Sequence, residues 1–495
     1  MSDTQPEATS QNNSSRQIGN ANSASAWAPR LHPEWIDSHA TGIVKALQKA
    51  GHESYLVGGC VRDLMLGIIP KDFDIATMAH PPQVKRLIHM AFIIGKRFRL
   101  VLVKRGEQQF EVATFRKEFD PSEFPVEQYP DGPPSVDNIF GTPEEDAKRR
   151  DFTINALFYD PVSQELIDYV GGRADIESRT LRMIGQPDKR LVEDPIRILR
   201  AIRFAHKLQL VIEPALRDSM ARHSKELQRS VLPRRREELL KLLRLEDPTR
   251  VLVECHDLGV LREIFPSIGK MFASTERQET FLTLLENFKS SVMDFANTGQ
   301  VFAWLLSAIS ETYHEEGNAF TEDDLTVVMR DELGMYKFEQ SLVFDAIKLR
   351  RSLERTDEHK RRGERRQAGL VRREGFQLAL RLASADYRLS GPDLLFWNEV
   401  VTRLQPEIEE AKRDREERQG ARRGGRGRRR NRRGENRANN NADIDDADAE
   451  AEENEMVDLG DSGDVADEIN DENIRESDTG DESSAANVSN RDFRN

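Results

Sequence analysis

Leu56-Val-Gly-Gly-Cys-Val-Arg-Asp-Leu-Met-Leu-Gly67, with Lys71-Asp-Phe-Asp-Ile75 close behind it, sets the architecture of the chain around it. Glu53-Ser-Tyr-Leu-Val reads as a strand running into Gly58 and Gly59, and Val61 to Leu66 as a short helix. Glycines at such a strand-to-helix turn let backbone N–H groups close on an anion, and the helix start adds favourable partial charge. Arg62 follows within reach of a phosphate oxygen. A lone Gly-Gly is more often a plain turn, and Asp72-Phe-Asp74 shifts that balance. On a second strand, residues i and i+2 face the same way. Two carboxylates held side by side repel unless cations lie between them. The natural partner is one or two Mg²⁺, which take carboxylate and substrate phosphate oxygens together. An ordinary polar turn after Pro70-Lys71 is the competing explanation.

Outward from this stretch, Pro82 to Met90 is helical in pattern, and Phe98 to Val103 with Gln109 to Thr114 form a hairpin around Arg105-Gly106. Glu111 is an acid inside that apolar alternation, either facing solvent or joining Asp72 and Asp74 as a third carboxylate. Lys117 to Asn138, rich in prolines and acids, is expected to be a long mobile loop. From Glu144 to about Leu404 the periodicity is helical almost throughout. The fold class is therefore α+β: a head with a small mixed or antiparallel sheet and helices, then an all-α neck and body. The expected boundaries are a disordered leader at 1–32, the head at 33–160, the neck at 161–268 and the body at 269–408. A basic Arg/Gly-rich segment at 409–440 and an acidic tail at 441–495 complete the chain, both disordered.

Two further groups bear on chemistry. Arg149-Arg-Asp-Phe-Thr-Ile-Asn155 opens an apolar run, in which Asp151 either caps a helix or, with Arg150, meets a ribose and a triphosphate. Glu193-Asp-Pro-Ile-Arg197 leads a helix in which Pro195 suits the first turn and Asp194 the cap. Asp194, Arg197 and Arg200 recur along one side of it, offering an acceptor and donors to a base edge. A capped, salt-bridged surface helix accounts for the same pattern.

In this order the four motifs resemble the class II nucleotidyltransferases, the family of bacterial poly(A) polymerases and tRNA CCA-adding enzymes. The resemblance covers roughly residues 34–268. Ile93-Ile-Gly-Lys-Arg-Phe-Arg-Leu-Val-Leu-Val103 and Asp137-Asn-Ile-Phe-Gly-Thr-Pro-Glu-Glu-Asp146 look like the poly(A) polymerase branch. The resemblance implies that Gly58, Gly59 and Arg62 hold the triphosphate of ATP, that Asp72 and Asp74 carry catalytic Mg²⁺, and that Asp151 is a further active-site acid beside Arg150. It implies that Asp194 and Arg197 contact the incoming base, with Arg200 and Arg203 supporting or touching phosphate. Glu111 matches an acidic family position as a third metal ligand. Leu232-Pro-Arg-Arg-Arg-Glu-Glu-Leu-Leu-Lys-Leu-Leu243 resembles the helix that braces the base pocket. The implied activity is template-independent addition of AMP to RNA 3′ ends, with CCA addition and a non-catalytic RNA-binding scaffold as the alternatives. A phosphohydrolase reading of His256-Asp257 lacks the further ligands such a metal site needs.

Composition agrees with an RNA partner once charge is located. The 495 residues carry a net charge of -14. Residues 441–495 hold twenty Asp and Glu against three Arg, so the tail carries -17 and the rest of the chain +3. The Arg/Gly segment is suited to RNA phosphates, with the acidic tail as its alternative occupant. Proteins of RNA decay are the expected protein partners. The start lacks a basic region and an apolar core, and the longest apolar runs, such as Val301 to Leu306, are too short to cross a bilayer. Two cysteines, Cys60 and Cys255, build neither a disulfide framework nor a four-ligand zinc site. The expected setting is cytoplasmic and reducing, away from membranes.

Overall fold

The computed structural model describes residues 31–406 apart from 96–98, 119–138, 291–293, 318–319 and 386–388, together with residues 409 and 413. The leader up to residue 30, nearly all of the Lys117 to Asn138 loop, and the Arg/Gly-rich and acidic segments beyond residue 413 lie outside the described residues.

The head begins with α1 (Ser38–Lys49), started by Asp37, whose carboxylate accepts the N–H groups of His39 and Ala40. Its Ala40, Ile43, Val44 and Leu47 recur at helical spacing and are buried. They cover one face of a mixed sheet made of β1 (Ser54–Val57), β2 (Asp74–Thr77), β3 (Ala91–Ile94), β4 (Leu100–Arg105), β5 (Gln108–Thr114), β6 (Leu157–Asp160) and β7 (Glu165–Asp168), in the order β3-β4-β5-β2-β1-β6-β7. Only β2 and β5 are parallel within it; the other neighbours are antiparallel. The expected β4–β5 hairpin is present, with Gly106 at φ +61° in its turn. The helices α2 (Gly59–Met65) and α3 (Pro81–Leu87) follow β1 and β2. The opposite face of the sheet carries a second apolar cluster, of Val57, Ala76, Phe115, Ala147, Ala156, Phe158 and Ile184. It packs under α4 (Pro143–Arg149), whose Thr142 and Glu145 form a capping box.

The expectation of helix almost throughout from Glu144 is corrected here, because β6 and β7 complete the sheet on the β1 side. Leu157 and Phe158 are buried on opposite faces of the sheet, one in each apolar cluster. A strand covered on both sides shows no alternation of apolar and polar residues.

Beyond the sheet the chain is helical: α5 (Gly172–Glu177), α6 (Pro187–Glu193), α7 (Arg197–Leu208), α8 (Pro214–His223), α9 (Leu232–Leu243) and α10 (Pro248–Asp257). The one interruption is a short parallel pair, β8 (Thr180–Leu181) with β9 (Val211–Ile212). The body follows with α11 (Val260–Ile264), α12 (Pro266–Gly269), α13 (Thr275–Ser290), α14 (Thr298–Glu315), α15 (Glu322–Val327) and α16 (Lys337–Leu353), then α17 (Thr356–Arg362), α18 (Glu364–Val371), α19 (Phe376–Ala385) and α20 (Gly391–Arg403). Val301 to Thr312 of α14 is buried all round, which makes it the axis of the body. Trp304 is fully buried there, with its indole N–H donating to the Leu285 carbonyl at 2.9 Å. The α+β class is as expected, and among the described residues no helix is long and apolar enough to cross a membrane.

Candidate active site

Gly58 ends β1 with φ +71° and ψ -125°, a conformation side chains avoid. Its N–H donates to the Leu157 carbonyl on β6, and a Cβ placed there would lie 2.9 Å from Arg150 Nη1. The turn is thus a close approach of backbone to a guanidinium, and Gly59 opens α2 behind it. Arg62, expected at a triphosphate, is only 3% exposed. It donates to Asn155 Oδ1 at 2.6 Å and to Asp63 Oδ1 at 2.8 Å, and its guanidinium lies 5.0 Å from the Phe204 ring centre. These contacts brace the turn against the approach to β6 and against α7.

Asp72 lies just before β2, not within it, and Asp74 is the first strand residue, a small correction to the expected register. Phe73 is buried, Asp72 exposed and Asp74 half-buried, so the two acids flank a core residue as the i, i+2 pattern requires. Asp74 pairs with Val57, next to the glycine turn, on β1. One step before the Ile75–Val112 pair of the parallel β2–β5 ladder, it lies alongside Glu111. Glu111 therefore faces the same side as Asp74 rather than open solvent. Its Oε2 is buried with no hydrogen-bond partner among the described residues, and burial, reinforced by the Asp72 charge, pushes its carboxyl up. Burial likewise pushes the Cys60 thiol up to about 12, with the adjacent Asp74 carboxylate adding to it.

Next to this group, Asp146 on α4 binds Arg149 Nε at 2.9 Å and Arg150 Nη2 at 3.0 Å, and accepts the Arg116 N–H at 3.2 Å. Burial raises its carboxyl, but the Arg150 and Arg149 charges outweigh that and hold it low. Arg150 also donates to the Asn155 carbonyl at 3.1 Å and lies over the Phe158 ring. Asp151 caps no α-helix, contrary to one of the two sequence readings. Its Oδ1 accepts the Phe152 N–H at 2.7 Å and the Asn155 amide at 3.1 Å, and its Oδ2 accepts Arg200 at 2.8 and 2.9 Å.

Asp194 is not an N-cap either: it follows the last residue of α6, and Ile196 precedes α7. Both of its oxygens are taken by Arg234 on α9, at 3.1 and 3.0 Å. Arg197 donates to the Arg190 carbonyl at 2.8 Å and to Glu193 at 3.3 Å. Burial, then the neighbouring Arg190 charge, pulls its pKa down. Arg203 turns away from the cleft, 6% exposed, and pairs with Glu238 at 2.9 Å while stacking on Phe204.

Sequence reasoning missed Arg190. This side chain, 7% exposed, donates to the carbonyls of Arg149 at 2.6 Å and Arg150 at 2.9 Å, to Glu193 at 3.0 Å, and to Glu118. It ties the Arg149–Asp151 segment to the one carrying Asp194 and Arg197. The only sequence signal was a cation four residues before Asp194. Asn155 was quoted without a role, yet it links Arg62, Arg150 and Asp151. The arrangement brings the glycine turn, Asp72, Asp74, Glu111, Arg150 and Asp151 to one region of the head, with Asp194, Arg197 and Arg200 joined to it from the helices. His256 stacks on Phe272 instead of meeting a metal set. Among the described residues, no three His, Cys, Asp or Glu side chains already converge on a common metal position.

Comparison with known proteins gives a consistent picture. A model of the poly A polymerase head domain matches residues 54–182, and one described as "Probable RNA and SrmB- binding site of polymerase A" matches residues 209–272. Poly(A) polymerase I of Salmonella typhimurium is 36% identical over 311 residues, covering 60% of this chain and 67% of that enzyme. Poly(A) polymerase I of Escherichia coli O6:H1 is 43% identical over 243 residues, 48% of this chain and 52% of its own. The CCA-adding enzyme of Bacillus subtilis is 34% identical over 259 residues, 50% of this chain and 63% of its own. Among solved structures, a Bacillus stearothermophilus CCA-adding enzyme in complex with CTP superposes with a TM-score of 0.57 at 25% identity, covering 74% of this chain and 82% of that one.

Proposed function

We infer the activity from a premise: the chain belongs to the class II nucleotidyltransferase family, which holds bacterial poly(A) polymerases and tRNA CCA-adding enzymes. It is thus an enzyme of the nucleotidyltransferase class. Within the family we propose that it transfers AMP from ATP to RNA 3′ ends without a template. The observation that carries the choice is its 43% identity to an E. coli poly(A) polymerase I, against 34% to the B. subtilis CCA-adding enzyme.

The site fits Mg²⁺. Glu111 brings a buried carboxylate oxygen without a hydrogen-bond partner to the side of the acidic pair Asp72 and Asp74. This ion takes few protein carboxylates and completes its shell with water and substrate phosphates. Asp72 and Asp74 would hold it, with Glu111 beside them, and the bound ion would supply charge neutralisation on the triphosphate and acidify the attacking hydroxyl.

The rest of the chemistry belongs to the protein's own residues. The Gly58–Gly59 turn offers close backbone approach for the triphosphate, and Arg150, against Gly58, supplies a fixed cation. In the reaction the RNA 3′-oxygen forms a bond to the α-phosphorus, the bond from that phosphorus to the bridging oxygen breaks, and pyrophosphate leaves. The hydroxyl proton passes to solvent or to a carboxylate of the acidic group. Asp194 and Arg197 would read the base, and Arg234 and Arg190 hold them in preset orientations. Protein hydrogen bonds then select the nucleotide where no template does. Outside the described residues, the Arg/Gly-rich segment would add a salt-dependent hold on RNA phosphates.

Incubation with Mg²⁺, a generic RNA and each nucleoside triphosphate separately tests this. Long ladders with ATP alone are expected. Efficient CMP addition to a tRNA lacking its CCA end would move the chain to the CCA-adding branch. A protein carrying Asp72→Ala and Asp74→Ala that kept its whole activity would point to a scaffold.

A further inference from the structure

Two large aromatic side chains stand out in solvent where the body meets α9: Tyr336 is 57% and Phe338 72% exposed. Their rings are near parallel, 8° apart in plane and 6.0 Å between centres. Neither position is left to wander. The Tyr336 N–H donates to Glu339 Oε2 at 2.8 Å, and the same carboxylate accepts Arg236 Nη2 at 2.7 Å. Arg236 and Glu339 are 6% and 4% exposed, so this is a buried pair joining α9 to α16. The Arg236 guanidinium lies 4.7 Å from the Tyr336 ring centre and so supports the ring from below. Single exposed apolar residues need no explanation, but an exposed, near-parallel aromatic pair with one ring underlain by a buried guanidinium does.

Cations border the pair, with Glu237 beside them accepting Arg236 Nη1 at 3.1 Å. Lys337 is exposed between the two rings in sequence. Gly334, at φ +59°, sits against Leu232, where a Cβ would come within 2.9 Å of Leu232 Cγ, so the loop leading to Tyr336 lies on the first turn of α9. Arg235, three residues after Leu232, shares that face of the helix. Its Nε is buried with no hydrogen-bond partner among the described residues, and burial alone pulls its pKa down, with no acid offsetting it. A partly buried cation without an acid partner among the described residues, on the helix whose Arg236 underlies Tyr336, suits a ligand with flat rings on an anionic backbone.

We propose that Tyr336 and Phe338 form a stacking platform for bases of single-stranded RNA, with Arg235 and Lys337 meeting its phosphates. This rests on the nucleotidyltransferase reading only in naming RNA as the strand. Tyr336, Lys337 and Phe338 lie beyond the matched family ranges, which end at residue 272, while Arg235 falls within the second of them. Base stacking tolerates any sequence, as a strand that is moved along and extended requires.

The test uses the full chain and a 5′-fluorescein oligoadenylate, with binding read by anisotropy without ATP at about 50 and about 300 mM salt. Tyr336→Ala with Phe338→Ala is expected to weaken binding about tenfold at both salt concentrations, because stacking is not screened. Arg235→Gln is expected to weaken it mainly at the lower salt and to flatten the salt dependence by about one phosphate contact. In the unsubstituted protein, photo-crosslinking of a 5-iodouridine RNA is expected to map to Tyr336 or Phe338, a readout independent of how any variant folds. Double-variant affinity within twofold of the parent at both salts, or loss of self-association without loss of RNA binding, would overturn the proposal. The same measurements in an Asp72→Asn, Asp74→Asn background separate the two ideas. Retained stacking without nucleotide transfer by the parent chain would support the platform and sink the transferase reading.

Discussion

Arg200 on α7 closes on one oxygen of Asp151, at 2.8 and 2.9 Å, while the other oxygen of that carboxylate is held by Phe152 N–H and the Asn155 amide. The pair is mostly buried, with side chains 19% and 10% exposed. It joins the helix that follows Asp194 to the segment that carries Arg150, so it fixes how the two segments sit against each other. Asp151→Asn and Arg200→Gln should each lower kcat/KM, and together cost less than the sum of the two. A coupling of about 2 kcal/mol in a double-mutant cycle is expected. Additive effects in that cycle would show that the contact positions nothing.

Asp74→Asn should abolish transfer, with activity down by a factor of roughly 1000 or more, since on the proposed mechanism it removes a carboxylate that would hold the Mg²⁺ neutralising the reacting phosphate. Its half-buried side chain lies alongside Glu111 in the β2–β5 register and the substitution keeps its shape, so folding should be little changed. A thermal melt alongside the rate assay separates loss of chemistry from loss of fold.

Arg190→Ala should raise KM for the nucleotide more than it lowers kcat. Removing it leaves the Arg149 and Arg150 carbonyls without their donor and frees Glu193 and Arg197 to move. Buried bonds from a charged donor contribute about 1.5–3 kcal/mol, so KM should rise roughly tenfold or more. Arg190→Lys, with a point charge in place of the planar fork, should recover only part. The discrimination between ATP and CTP should fall in the alanine variant. Equal loss for every nucleotide with KM unchanged would leave Arg190 a purely structural tie.

What the sequence revealed and what it hid follow one rule. Asp72-Phe-Asp74 was legible because strand alternation is local: burying Phe73 turns both acids the same way. The β4–β5 hairpin was legible for the same reason. Strand β6 was hidden because Leu157 and Phe158 are covered on both faces, which erases the period that marks a strand. Arg234 on Asp194, Arg190 on Arg149 and Arg200 on Asp151 span 40 to 49 residues of chain, and no spacing rule reaches that far. Side chains that looked like ligand contacts, Arg62 and Arg203, are drawn into pairs with Asp63 and Glu238 by burial that only tertiary packing creates.

Gly58→Ala should destabilise the chain by about 1–3 kcal/mol, because an L side chain at φ +71° and ψ -125° is strained. The new Cβ would also press on Arg150 Nη1, at 2.9 Å, and shift a cation fixed against the turn. Nucleotide affinity should therefore fall by more than the stability loss explains. Isothermal titration with ATP at a temperature well below the melting point isolates that part; unchanged affinity there would remove the turn from the site.

Asp146 gives the fold a built-in acid sensitivity of known sign. Burial opposes its charge, yet Arg150 and Arg149 prevail and hold its carboxyl below the unfolded value near 3.8. A depressed folded-state pKa means that the unfolded chain binds the proton more readily, so this stability is present above the unfolded pKa and is lost as pH falls through the folded one. Asp146→Asn should cost roughly 3 kcal/mol at neutral pH, since it leaves two partly buried guanidinium groups without their acid. The gap between variant and parent should then narrow below about pH 4, as the unfolded parent chain takes up its proton, and close once the pH is below the folded-state value. Urea unfolding of both proteins across that range measures it. A gap independent of pH would mean that Asp146 acts through hydrogen-bond geometry alone, and Arg150 would then owe its place against Gly58 to the Asn155 carbonyl and the Phe158 ring.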